Sequence, residues 1–356
     1  MRARPIDNLR VLLSGGSPAW SPFTLDIGAC TGLSEPVERL FREKTGATDH
    51  AAYFDADFRI RSLRTRFGGD DPASLHAKVP SGTTFDEWGI GHQASNVEGT
   101  LDRMLPPLAN AETVGQVEAL PSPEIEPDPD PAMVDGFHAA GFPVFGYAGS
   151  IYEWSWWLRG MERFMIDLAE GSAMAEAILR KVEDHTTRLA LATARLGVDV
   201  LCMYDDAGTQ RGMQISPACW RRCIKPAWHR VLSTVRREFP EARFFLHSCG
   251  KIDPILSDIV ELGFDILHPI QPECLDFAAI YRQYGGRIAL CATVSSQRTL
   301  PFGSPDDVRR ETQRLIETVR DDRRCVLMPS NVLQPETPWE NLVAMAEAFR
   351  SQRGDG

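Results

Sequence analysis

The sequence predicts an α/β fold, a (β/α)8 barrel, from three observations. Short apolar runs alternate with helix-length stretches through the C-terminal two thirds of the chain. Helix-opening signals follow those runs. The polar residues that interrupt the runs fall at their C-terminal ends, where the strands of a barrel share one mouth.

Taken in order, Pro143-Val144-Phe145-Gly146-Tyr147 reads as a strand, and a helical stretch follows from about Met161 to Leu196. Val198 to Tyr204 is the next strand. Ser216-Pro217 then opens a helix, with serine as cap and proline in the first turn. Phe244 to Leu246, Phe264 to Leu267, Arg287 to Cys291 and Val326 to Met328 continue the strand series. Helices open between them at Asp253-Pro254 and Ser304-Pro305, and Thr337-Pro338-Trp339-Glu340 reads as a capping box for the last one. Six strands with helical crossovers imply a parallel sheet covered on both faces. Thr24 to Ile27 and Tyr53 to Phe58 can supply two more, which would close the barrel; an open doubly wound sheet is the alternative. The chain is read as one domain over residues 1–356, with an N-terminal extension. The acidic, proline-rich segment at about 119–131 is read as an exposed extended loop.

Composition narrows the function. The 356 residues suffice for a large core, and 43% hydrophobic with 24% charged residues is ordinary globular usage. A formal net charge of -11 argues against nucleic acid or an anionic membrane as partner. No run approaches a membrane span or the core of a signal peptide. The cysteines at 30, 202, 219, 223, 249, 274, 291 and 325 form no CxxC pair, so free thiols and a cytoplasmic location are expected. No GxGxxG or GxxxxGK[ST] motif supports a nucleotide site.

The polar groups at strand ends are the candidate site. His247-Ser248-Cys249-Gly250 can aim an imidazole and a thiolate at one point, to hold zinc or to form an acid/base pair. Asp205-Asp206 is a pair of carboxylates with catalytic potential; its plainer reading is a turn before Gly208. Gln271 and Glu273 follow the fourth strand and Ser330-Asn331 the sixth, with Gln210 beyond the carboxylate pair. Asp55, Asp57, Arg59 and Arg61 alternate with period two, which would place them on one strand face. Tyr152, Trp154, Trp156 and Trp157 can wall an apolar pocket or pack the core, and Glu153 among them needs a partner.

These residues also carry a resemblance. HSCGKIDPILSDIVELGFDILHPIQPE, YDDAGTQRGMQISPACWRRCIKP, PETPWENLVAMAEAF, WSWWLRGMERFMIDL and FDADFR together resemble the uroporphyrinogen decarboxylase superfamily over nearly the whole chain. The resemblance implies a single (β/α)8 barrel and a homodimer. The arginine-rich signature of the true decarboxylases is absent, as is their late histidine. The HxCG motif looks more like the zinc- and corrinoid-dependent methyltransferases and demethylase-like relatives. It implies His247 and Cys249 as zinc ligands. The later cysteine of those enzymes is replaced at Ser330-Asn331, so a carboxylate, Glu153, Asp206 or Glu273, is expected as third ligand, with Glu273 favoured. The expected function is zinc-assisted methyl transfer or O-demethylation of a small molecule with a separate corrinoid protein. Asp205 and Asp206 would handle substrate or protons, and Glu153, Trp154, Trp157, Gln210, Gln271 and Asn331 would contact substrate. A metal-free decarboxylase using Asp57 as acid, and a non-catalytic ligand-binding barrel, are the alternatives.

Overall fold

The computed structural model describes residues 3–93 and 103–353. Seven strands form one parallel sheet: β1 (Arg59–Ile60), β2 (Val144–Gly149), β3 (Val200–Tyr204), β4 (Arg243–His247), β5 (Ile266–Ile270), β6 (Ala289–Val294) and β7 (Cys325–Pro329). They pair in chain order. The strands after β1 are apolar runs because both faces are covered. Beyond β7, the Thr24 N–H donates to the Leu327 carbonyl at 3.1 Å and the Leu327 N–H donates to that of Pro22 at 2.8 Å. On its other side the same segment accepts from the Asp57 N–H, at the Phe23 carbonyl, at 2.9 Å. The architecture is an α/β barrel.

Period-two alternation divides the apolar residues into two cores. Phe58, Phe145, Cys202, Phe245, Ile266, Cys291, Val326 and Met328 fill the interior as a packed cluster. Leu9 and Leu12 of the helix Pro5–Leu13 join that cluster from the N-terminal side. The outer core lies between sheet and helices. There the helix Ala173–Arg195 buries Met174, Ile178, Val182, His185, Leu189 and Thr193, an i, i+3/i+4 stripe.

Several boundaries differ from the sequence reading. The stretch 161–196 is two helices, Met161–Glu170 and Ala173–Arg195, because Gly171 takes a left-handed conformation and the Ser172 side chain caps the second. Tyr53 ends a short helix, His50–Tyr53, and the strand begins only at Arg59, so Asp55 and Asp57 lie on no strand face. The capping box at Thr337 is not formed. Pro338 precedes the last helix, Trp339–Ser351, without a side-chain cap. A capping box does form at Ser304 with Asp307. The proline-rich segment is not wholly an exposed loop: Glu124–Ile125 pairs antiparallel with Thr65–Arg66, and Leu120 is buried.

Candidate metal centre

β3 delivers two adjacent carboxylates to opposite places. Alternation turns Tyr204 inward, Asp205 into the wall and Asp206 back toward the mouth. Asp205 is buried and accepts from the Ser150 hydroxyl (2.9 Å), the Ile151 N–H (3.2 Å), the Glu153 N–H (3.0 Å) and the Trp228 indole N–H (2.8 Å). It thereby holds the start of the helix Tyr152–Arg159 against β3. Burial pushes its carboxyl up to about 6 against those bonds.

Asp206 faces His247 and Cys249. Its Oδ1 accepts the Cys249 N–H at 2.6 Å and lies 3.5 Å from His247 Nε2. Cys249 Sγ is 3.2 Å from the same Nε2. One ligand atom from each of the three residues lies within 4.8 Å of the others. Burial raises the Asp206 carboxyl to about 6. Burial, with the charges of Asp206 and Glu153, holds the Cys249 thiol well above its ordinary range. His247 is driven down to about 4 by burial, so its ring is neutral near pH 7. Its Nδ1 lies 2.8 Å from Nδ1 of His268, whose Nε2 is 3.0 Å from the Pro329 carbonyl.

Two glycines fix the spacing of the loops that carry Asp206 and Cys249. Gly250 has φ +89°, and a Cβ there would stand 2.4 Å from the Gly208 carbonyl carbon. A Cβ on Gly208 would meet the Cys249 carbonyl oxygen at 2.7 Å. Only two glycines allow this approach. The Gly250 N–H is also held by Gln271 Oε1 at 2.7 Å.

Above these groups is a cavity of about 190 Å³, lined by Asp206, Gly208, Thr209, Gln210, Cys249, Gly250, Gln271, Ser296, Gln297, Ser330 and Asn331. Asn331 Nδ2 donates to Cys249 Sγ at 3.5 Å, and Gln210 bonds Gln297 across the rim. Ser330 turns to the Ser296 hydroxyl at 2.9 Å.

The structure thus gathers Asp206, His247, Cys249, Gln210, Gln271 and Asn331. Glu153 is adjacent: its carboxyl is raised well above the ordinary range by burial and then by the charges of Asp206 and Asp205. Other expected residues are placed elsewhere. Glu273 is not among the three grouped ligands; the carbonyl of Gln271 accepts the Cys274 and Leu275 N–H groups, and that tight turn carries Glu273 to the Ser295 hydroxyl. Asp57 precedes β1 and so lies toward the N-terminal end of the barrel, away from the mouth, fully buried against Trp20, the Phe23 N–H and Arg353. Trp154 is core, edge-on to Trp88 at 5.6 Å between ring centroids, and Trp157 packs on Trp156 at 5.8 Å. Neither tryptophan lines the cavity. Ser296 and Gln297 were not anticipated, although SSQ directly follows a strand as the other polar groups do.

A family model described as uroporphyrinogen decarboxylase (URO-D) matches residues 136–352, more than half of the chain. The chain belongs to the URO-D family. Two curated relatives are the methylcobamide:CoM methyltransferase MtaA of Methanosarcina barkeri, 30% identical over 169 residues (46% of each chain), and that of M. barkeri strain Fusaro / DSM 804, 28% identical over 159 residues (45% of this chain, 43% of the relative). This URO-D protein spans a little under half the length of the curated relatives it matches. A solved methyltransferase from Methanosarcina mazei covers 98% of this chain and 99% of its own at TM-score 0.65 and 18% identity, which supports the α/β barrel fold.

Proposed function

We propose that this URO-D family member is a zinc-assisted methyltransferase or O-demethylase component acting on a small molecule, with the corrinoid carried by a separate protein. The reading takes Pro22–Thr24 as the eighth strand of a closed (β/α)8 barrel. It rests above all on the convergence of Asp206, His247 and Cys249 on one point beside a polar cavity.

The three groups fit zinc. Metal–ligand bonds of 2.0–2.3 Å at tetrahedral angles put ligand atoms roughly 3.3–3.6 Å apart, and His247 Nε2 stands 3.2 Å from Cys249 Sγ and 3.5 Å from Asp206 Oδ1. The donor set is one imidazole, one thiol and one carboxylate, all acceptable to zinc. Three protein ligands leave a fourth position, which would face the cavity. When bound, the metal would supply Lewis acidity to a substrate sulfur or oxygen there. Asn331 donates toward Cys249 Sγ and so tempers the thiolate charge. Glu153, whose carboxyl is raised well above its ordinary range by burial and then by the charges of Asp206 and Asp205, is our candidate for proton exchange with the substrate. The MtaA relatives are named for methyl transfer from a methylcobamide, which supports the corrinoid partner.

The decarboxylase alternative loses support from charge. Among the described residues, no Lys or Arg lines the cavity to hold a carboxylate. Arg59 is spent on the Ala56 and Phe58 carbonyls, and Arg61 on Asp128.

The test is elemental analysis joined to turnover. Protein purified without added metal should carry about one zinc per chain, and the zinc should be lost in His247→Ala and Cys249→Ala. The loaded protein should demethylate a free methylcorrinoid in the presence of a small thiol. Metal-free protein that stays metal-free with excess zinc would remove the proposal.

A further inference from the structure

His268 is fully buried in the middle of β5 and does not line the cavity, yet its ring joins His247 of the proposed metal centre to the barrel wall. Its two nitrogens have fixed and different partners. Nε2 is 3.0 Å from the Pro329 carbonyl oxygen, which can only accept, so Nε2 carries hydrogen. Nδ1 is 2.8 Å from Nδ1 of His247, and only one of those two nitrogens can hold the hydrogen between them. A neutral His268 with hydrogen on Nε2 leaves Nδ1 as acceptor. The hydrogen then belongs to His247 Nδ1, and in a neutral His247, the form that burial favours, Nε2 is left with a lone pair. That lone pair faces Cys249 Sγ at 3.2 Å and Asp206 Oδ1 at 3.5 Å.

The competing arrangement has a doubly protonated His268 donating at both ends and His247 with hydrogen on Nε2. It places a cation against the Phe245 ring, stacked at 5.8 Å between centroids, with no carboxylate bonded to the His268 ring among the described residues. An unpaired buried cation is costly. The second ring therefore acts as a one-way relay from a backbone carbonyl to a ligand atom.

We infer that His268 is a positioning residue: it fixes His247 as the Nδ1–H tautomer and keeps the Nε2 lone pair aimed at the space shared with Asp206 and Cys249. Ligating histidines in general are oriented by an acceptor on the distal nitrogen; here that acceptor is a second histidine, itself set by the Pro329 carbonyl. The value of this for metal binding rests on the proposed metal centre, but the tautomer itself does not.

The experiment is a ¹H–¹⁵N long-range correlation spectrum of the full chain, metal-free and at neutral pH, for the parent, His268→Leu and His268→Asn, with zinc dissociation constants measured in parallel by competition with a chromophoric chelator. His247 in the parent should show a protonated Nδ1 and an unprotonated Nε2. His268→Leu should mix the two tautomers and weaken zinc roughly 10–100-fold. His268→Asn returns an oxygen acceptor near the original Nδ1 and should restore both. A parent His247 protonated at Nε2 overturns the inference, and that measurement needs no variant to fold. A folded His268→Leu protein with an unchanged His247 tautomer overturns it as well. The expected tautomer in a parent that binds no zinc sinks the metal centre and leaves His268 in its role.

Discussion

Asp205 and Asp206 are adjacent and chemically identical, and the extended backbone just past the end of β3 gives them separate tasks. Asp205 saturates four donors in the wall; Asp206 shares the mouth with His247 and Cys249. The sequence could nominate the pair and could not divide it, because the division depends on which face of β3 is inward. The same limit explains Glu273. Its place three residues after β5 made it a good ligand on paper, and the direction of the following turn is invisible without tertiary contacts. Substituting Glu273→Ala should leave zinc content unchanged, measured by elemental analysis, whereas Asp206→Ala should lower it. Asn331 stands over the sulfur, so Asn331→Cys should add a thiolate and tighten zinc, read by chelator competition; unchanged affinity would mean that this turn does not reach the metal. In the proposed centre, zinc uptake must displace the proton of the Cys249 thiol, held well above its ordinary range, and near pH 6 also that of Asp206, raised to about 6. Affinity should therefore rise with pH from 6 to 8, with protons released on binding.

At the scale of elements, the helix Tyr152–Arg159 and β3 are tied through one carboxylate. Replacing Asp205 with Ala strands three N–H donors and a hydroxyl in the interior, and urea unfolding should show a loss of about 3 kcal/mol. Most of this layer was legible. β2 to β7 are apolar because helices cover them, and the Ser216, Ser304 and Pro signals do open helices where they stand. The N-terminal pair was not legible in the same way. β1 is two residues long and Phe23 makes a single bridge, so the strands there are defined by neighbours and by the Asp57–Arg353 contact rather than by a run of their own. The tryptophan cluster was ambiguous for a different reason: a large aromatic serves a pocket wall and a core equally well, and the partner that decides, Trp88, lies 66 residues from Trp154 in the chain.

For the whole molecule, buried neutral histidines weaken the fold as pH falls. His185 lies among Trp88 and Trp154 with no hydrogen-bond partner among the described residues, and burial lowers it to about 3. In the unfolded chain it binds a proton below about 6.5. At this site the unfolded state thus binds more protons between those values, and the His185 contribution to stability falls as pH drops from about 6.5 toward 3. His247, lowered to about 4, adds to the same slope. A His185→Leu variant should lose part of this dependence, seen as a smaller drop in the urea midpoint between pH 7 and pH 4.5. An equal drop would show that His185 is not buried neutral. No described helix is long and apolar enough to cross a membrane.

The back-to-back contact of Gly208 and Gly250 has a kinetic meaning. It makes the Asp206 loop and the Cys249 loop one body, so in the proposed metal centre the two donors need not search for each other when a cation arrives. The ordering entropy is settled when the chain folds, not when metal enters. Metal capture should then run as one bimolecular phase whose rate grows linearly with metal concentration, without the plateau that a slow loop closure imposes. A methyl or hydroxymethyl side chain at either glycine would separate the loops and bring that plateau into view.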